Sequence, residues 1–189
     1  NDVGQLAQND VALRSSPVQI SGTRWKQGGG GTQGGSTVFT RSDGTMWAWG
    51  QNQHGELGQN SVVKYSSPVQ IGSDTTWSTT YDQCAAGQKA SFCIKTDGTL
   101  WGWGQNDGGA VGVSPTGHRS SPTQIPGTTW LRVDHTYQGT LAIKTDGTLW
   151  SWGYNKFGTL GQNSVTYYSS PVQVPGTEWN LEKSSNRSS

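Results

Sequence analysis

Charge is scarce in this chain of 189 residues. Only 13% are charged, and thirteen Lys and Arg set against twelve Asp and Glu leave a net charge of +1. A protein that grips nucleic acid through phosphates needs a clustered basic face, and cations spread along the whole chain predict none. No run approaches the roughly 18 consecutive apolar residues of a membrane-spanning helix. Hydrophobic residues make up only 30%, and no segment has a helical apolar period. There are two Cys, three His and one Met, too few for a zinc site from cysteines, and no His pair stands at ligand spacing. Position 1 is Asn rather than Met and no signal peptide is visible, so the chain reads as processed or as a piece of something longer.

What the chain has in abundance is ten Trp and 28 Gly. A disordered chain would lack the aromatics, whereas Trp with Gly, Thr and Ser suits short strands joined by tight turns. The strings SDGTMWAWGQNQHGELGQN, TDGTLWGWGQNDGGAVGV and TDGTLWSWGYNKFGTLGQN begin at Ser42, Thr96 and Thr145. A second string, SSPxQ followed by Ile or Val, carries Pro17, Pro68, Pro122 and Pro171, and a third marker is Trp25, Trp77, Trp130 and Trp179. All three keep one period of about 50 residues, the size of a propeller blade.

Each unit reads as about four strands. Asp43-Gly44, Asp97-Gly98 and Asp146-Gly147 are expected to form two-residue hairpin turns. That register sets Thr40 against Trp47, Val38 against Trp49, Ile94 against Trp101, Phe92 against Trp103, Ile143 against Trp150 and Leu141 against Trp152. Both Trp of each WxW then share one sheet face. The other face carries smaller groups such as Ala142 and Ser151, giving neighbouring blades a large face to pack on a small one. SSPVQI forms a further strand with Pro near its start.

The pattern DGTLWxWGxNxxGxLG followed by SSPVQIPGTxW resembles the repeat of the regulator-of-chromosome-condensation family, over nearly the whole chain. The resemblance implies an all-β fold of propeller blades, each of about four antiparallel strands. Three full blades plus partial terminal blades would belong to a seven-bladed ring. Known members include a nucleotide-exchange factor for a small GTPase and a secreted inhibitor of β-lactamases. Usage low in Lys and rich in Ser, Thr and Gln is more similar to bacterial and phage members than to eukaryotic nuclear ones. The Gly-x-x-His that many family repeats carry before the second strand is missing, the second unit has GGAVG in place of GxLG, and no functional residue carries over.

Units are expected at 26–77, 78–130 and 131–179, with a partial blade at 1–25 and the start of another repeat or a tail at 180–189. Seven blades need about 350 residues at this period. The expectation is therefore that the remainder of a longer chain, or further copies of this one, complete the ring.

Candidate chemistry is sparse. Cys84 and Cys93 form a disulfide or stay as two thiols. His54, His118 and His135 read as surface loop residues. Asp43, Asp97 and Asp146 read as turn residues, because Asp tolerates positive φ before Gly. The stretch from Gly28 to Gly35 lacks the spacing of a phosphate loop, no GxSxG is present, and a lone glycosylation sequon stands at Asn186. No cofactor, no metal and no catalytic set is expected. Rim loops carry binding in a rigid repeat frame. Tyr65, Tyr154, Phe157, Tyr167 and Tyr168, with His118 and Arg119, are the candidate loop residues there. The leading function is a non-catalytic module for a protein or glycan partner, in an extracellular or virion setting such as a tail fibre or bacterial surface. The alternative is a regulator of another enzyme.

Overall fold

In a computed structural model, residues 1–30, 35–87, 89–135, 139–176 and 179 are described. Their strands fall into three four-stranded antiparallel sheets. The first contains β1 (Trp25–Gly30), β2 (Ser36–Arg41), β3 (Met46–Gly50) and β4 (Tyr65–Gln70). The second contains β5 (Cys84–Ala86), β6 (Ala90–Ile94), β7 (Leu100–Gly104) and β8 (Arg119–Gln124), and the third β9 (Trp130–His135), β10 (Gly139–Lys144), β11 (Leu149–Gly153) and β12 (Tyr168–Gln173). Within each sheet the strands follow chain order, and β1, β5 and β9 contact one another across units, so they are the inner strands. β4, β8 and β12 lie at the outer edge, where the missing N–H of Pro68, Pro122 or Pro171 costs no ladder bond. Their prolines sit mid-strand, not near its start, opposite a bulge in the pairing. Residues 15–20 carry the same SSPVQI string but form no strand. The sequon at Asn186 and residues 180–189 lie outside the described residues, as do Gly31 and Gly34 of the glycine-rich stretch.

The hairpin is one residue longer than its Asp-Gly signal predicts. Gly44 N–H donates to Arg41 O at 3.0 Å and Arg41 N–H to Thr45 O at 2.9 Å. The loop is thus Ser42-Asp43-Gly44, a turn closed by a left-handed glycine with φ of 76°, and Gly98 and Gly147 repeat it at 78°. Asp43 Oδ1 accepts the N–H and hydroxyl of Thr45, which favours this turn over a two-residue one. The Thr45 hydroxyl in turn accepts Trp47 Nε1–H at 2.9 Å, an arrangement repeated at Asp97-Thr99-Trp101 and Asp146-Thr148-Trp150.

The longer loop shifts every expected partner by one. Trp47 pairs with Phe39, Trp49 with Thr37, Trp101 with Cys93, Trp103 with Ser91, Trp150 with Ala142 and Trp152 with Thr140. Ala142 therefore lies on the tryptophan face, and Ser151 pairs with Leu141 on the other. The shift leaves the aliphatic side chains free to form the opposite face. Trp103 of the second unit is buried against Val38, Met46, Ala48, Leu57 and Ile71 of the first. Trp152 of the third is buried against Phe92, Ile94, Leu100, Val111 and Ile125 of the second. Each fully buried indole removes some 150–250 Å² from water, which makes these seams the main favourable term of the fold.

The polar atom of the second indole of each WxW is matched, whereas Nε1 of Trp25, Trp77 and Trp130 is buried without a hydrogen-bond partner. Trp49, Trp103 and Trp152 donate Nε1–H to the backbone oxygens of Gln5, Glu56 and Ala110, the equivalent position in the loop of the preceding unit. That loop is itself held by the asparagine of WGxN. Asn52 Oδ1 accepts Leu57 N–H, while its Nδ2 donates to Ser61 O and Val63 O. Asn155 does the same with Leu160, Ser164 and Thr166, Asn1 with Leu6, Asp10 and Ala12, and Asn106 with Val111, Val113 and Pro115.

His135, expected on a surface loop, ends β9 and is buried. Its ring packs against Phe92, and its Nδ1 lies 2.8 Å from Thr140 Oγ1. Because that hydroxyl donates to Ala110 O, His135 Nδ1–H is the donor. A Cβ on Gly87 would overlap the imidazole, so only glycine lets the two inner segments approach. Burial lowers the His135 pKa to about 4.

Two groups of expected outcomes follow from the packing. Trp103→Phe removes the donor to Glu56 O and should cost about 1–2 kcal/mol, and Trp103→Ala about 3–5 kcal/mol. Asn155→Ala strands a buried N–H and two carbonyls and should cost about 2–3 kcal/mol, whereas exposed Thr159→Ala should change stability by less than about 0.5 kcal/mol. Guanidinium unfolding midpoints check both, and an Asn155→Ala protein as stable as Thr159→Ala would refute the role given to the asparagine. For His135 the unfolded chain binds the proton first, so stability is complete above pH 6.5 and falls as pH drops toward about 4, by up to about 3 kcal/mol. His135→Gln should flatten that stretch of the stability–pH curve; an unchanged slope would contradict the assignment.

Candidate interaction rim

Antiparallel chain order places the connections at two opposite ends of the sheets. The β1–β2 and β3–β4 connections and their equivalents share one rim, and the Asp-Gly hairpins share the other with the links between units. On the hairpin rim one cation of each unit stacks on indoles. Arg41 lies over Trp25 and Trp47, Lys95 over Trp77 and Trp101, and Lys144 over Trp130 and Trp150, with 4.1–4.9 Å between cation and ring. Hydrogen bonds from Thr45, Thr99 and Thr148 hold Asp43, Asp97 and Asp146 below the usual carboxylate range. A hollow of about 500 Å³ between the first two units is walled by Trp77, Trp101, Lys95 and Asp74, but Lys95 and Asp74 are ion-paired there. Burial pushes Asp74 up, and the bonds from Lys95 and Thr76 outweigh it, bringing it to about 2.

The other rim carries most of the exposed apolar side chains; Tyr81, 79% exposed, stands apart on the link between the first two units. In the loops after WxWG, Val62 is 62% and Val165 65% exposed, Phe157 78%, and Leu13 of the N-terminal counterpart 83%. The asparagine explains how they are held out. Asn1, Asn52 and Asn155 each tie down the two carbonyls that flank Val11, Val62 and Val165, and the side chain between them faces solvent. Val62 and Val63 border a hollow of about 380 Å³ completed by Val3, Gln51, Gln53 and Lys64.

The expected loop residues divide. Tyr154 and Tyr167 meet at a ring separation of 4.6 Å, and exposed Phe157 lies beside Lys156. Tyr65 and Tyr168 are not loop residues: each opens an outer strand and is half-buried against the core. Arg119 also opens a strand, and its guanidinium is occupied by Pro115 O and Gly117 O. The exposed valines carry no aromatic signal, but their recurrence ten residues after Asn1, Asn52 and Asn155, though not after Asn106, was there to be read.

Nor does linear spacing reveal that His54 and His118 meet. Loops of adjacent units bring His54 Nδ1 to 3.1 Å from His118 Nε2, with the rings edge to face. Asp107 Oδ1 stands 3.8 Å from His118 Nδ1, and Asp107 Oδ2 accepts from Gln105. Burial lowers the His54 pKa, partly offset by the charge of Glu56. Glu56 is fully buried; one carboxylate oxygen accepts His54 N–H at 2.8 Å and the other has no hydrogen-bond partner. Cys84 and Cys93 are directly paired across β5 and β6, with Cα atoms 4.1 Å apart and sulfurs at bonding distance. Among the described residues no group of three or more His, Cys, Asp or Glu surrounds a metal position, and no helix is long and apolar enough to cross a membrane.

Known proteins with this arrangement are readily found. Among curated relatives, the human probable E3 ubiquitin-protein ligase HERC3 is 34% identical over 85 residues, covering 44% of this chain and 8% of the relative. The ultraviolet-B receptor UVR8 of Arabidopsis thaliana is 27% identical over 132 residues, covering 69% and 30%. Among solved structures, human WBSCR16 superposes with a TM-score of 0.78 at 21% identity, covering 92% of this chain and 46% of that one. Prp20p of Saccharomyces cerevisiae, a protein whose structure was reported with its binding to Gsp1p and histones, gives 0.78 at 18%, covering 92% and 44%. The chain thus spans less than half the length of each of these proteins. Residues 43–94, 97–137 and 146–183 match the regulator of chromosome condensation (RCC1) repeat, and with three such repeats folded as propeller blades the chain belongs to that family.

Proposed function

We propose that this chain is a non-catalytic binding module that presents the loops of its Asn-clamped rim to a protein partner. The observation that carries this reading is the row of exposed valines and aromatics on that rim: Val11, Val62, Val63, Phe157, Val165 and Tyr167 stand out together there, whereas the hairpin rim and its links expose a lone Tyr81 at comparable level. Exposed apolar side chains gathered on one face mark an interaction surface. The proposal extends to a ring of seven such blades, completed by the remainder of a longer chain or by further copies. It also takes the Cys84–Cys93 bridge as a sign of an oxidising compartment, such as a virion or bacterial surface. A second reading, a regulator of another enzyme, draws on the reported binding of Prp20p to Gsp1p and on family analogy alone.

A displayed peptide and protein-domain library selected against the chain tests the first reading. Binders should lose at least about tenfold in affinity with Val62→Asp, Phe157→Asp or Val165→Asp, a loss of about 1.4 kcal/mol or more. They should bind unchanged when exposed Thr128 on the hairpin rim is altered. Binders that ignore all three rim substitutions would remove the proposal, and nucleotide-release or β-lactamase-inhibition activity would favour the second reading.

A further inference from the structure

We infer that His54 and His118 together bind a divalent transition-metal ion, with Zn²⁺ as the representative, and so clasp the first blade to the second. Two nitrogens bound to one tetrahedral Zn²⁺ at about 2.0–2.1 Å are about 3.3 Å apart. His54 Nδ1 and His118 Nε2 stand 3.1 Å apart, although they come from loops of different units. The ion takes the place of the proton the two rings now share. His54 presents Nδ1 as a lone pair with its proton carried on Nε2, and His118 presents Nε2 with its proton on Nδ1, so no net proton is released from two neutral rings.

The surroundings favour that arrangement. Asp107 Oδ1 stands 3.8 Å from His118 Nδ1, too long for a hydrogen bond as it is, but on the side from which a small closure would let it hold a proton on Nδ1 and leave Nε2 free, as a carboxylate does behind a metal-bound histidine. Gln105 fixes the other Asp107 oxygen. Independently, Glu56 is buried beneath the His54 backbone with one carboxylate oxygen unpartnered, and its negative charge acts on the His54 ring. An added cation compensates a charge that has no cation hydrogen-bonded or ion-paired to it among the described residues. Two protein ligands leave the remaining positions to water, which suits an open, exchangeable site on the rim; imidazole suits Zn²⁺, Cu²⁺ and Ni²⁺ alike. His135 takes no part, because its ring is buried and hydrogen-bonded in the core.

Isothermal titration of the chelator-stripped, disulfide-intact chain with ZnCl₂ tests the assignment. The expected result is one ion per chain, with the imidazole proton signals of His54 and His118 shifting while those of His135 stay. His54→Gln and His118→Gln should each abolish binding, and Asp107→Asn should weaken it about 10–100-fold. These are loop substitutions, and circular dichroism checks that each variant stays folded. Zn²⁺ should raise the unfolding midpoint of the unsubstituted chain and leave those of the two histidine variants unchanged. Absence of binding at millimolar Zn²⁺, or binding that survives either histidine substitution, overturns the inference without touching the partner-binding proposal, whose substitutions lie elsewhere on the rim.

Discussion

The second indole of each WxW, buried against aliphatic side chains, still carries one N–H that seeks an acceptor. In every unit that acceptor is a backbone oxygen in the loop of the unit before it: Gln5, Glu56 or Ala110. This contact fixes the spacing of neighbouring sheets. It also requires the loop to hold one shape, which the WGxN asparagine enforces through a backbone N–H and two carbonyls. The glycines of the inner strands, the aliphatic back face of each sheet and the presentation of the rim side chains all depend on that seam. A uniform hydrophobic face would hold the sheets together without fixing their register; the directional bond supplies it.

Much of the fold was legible because repetition makes weak signals strong. A single Asp-Gly or WxW means little, whereas three copies in phase define hairpins, and the recurring SSPVQ defines an outer strand. The register was misread for a local reason. Asp-Gly favours a two-residue turn when taken alone, but the Thr after it bonds back to Asp and pulls a third residue into the loop. That Thr recurs in all three units, as does the Arg or Lys two positions before Asp that stacks between indoles. Both were periodic signals of structure carried by polar residues.

The candidate site was less legible. Exposed aromatics were sought by residue type, yet Tyr65 and Tyr168 became strand residues because they pair with Gly50 and Gly153. Valine on a loop reads as filler until the clamp at its flanks is known. His54 and His118 are 64 positions apart, and only the stacking of successive units brings them into contact. Residues that meet across a seam are those that a one-unit reading separates.

The backward direction of the seam has a consequence for how such a chain is made. The second tryptophan of each WxW docks on a loop that lies earlier in the sequence: Trp49 on Gln5, Trp103 on Glu56, Trp152 on Ala110. During synthesis each receiving loop has left the ribosome before its indole appears. A nascent unit can therefore seat on a finished predecessor as it emerges, and the ordering of blades is vectorial rather than a search among equivalent partners.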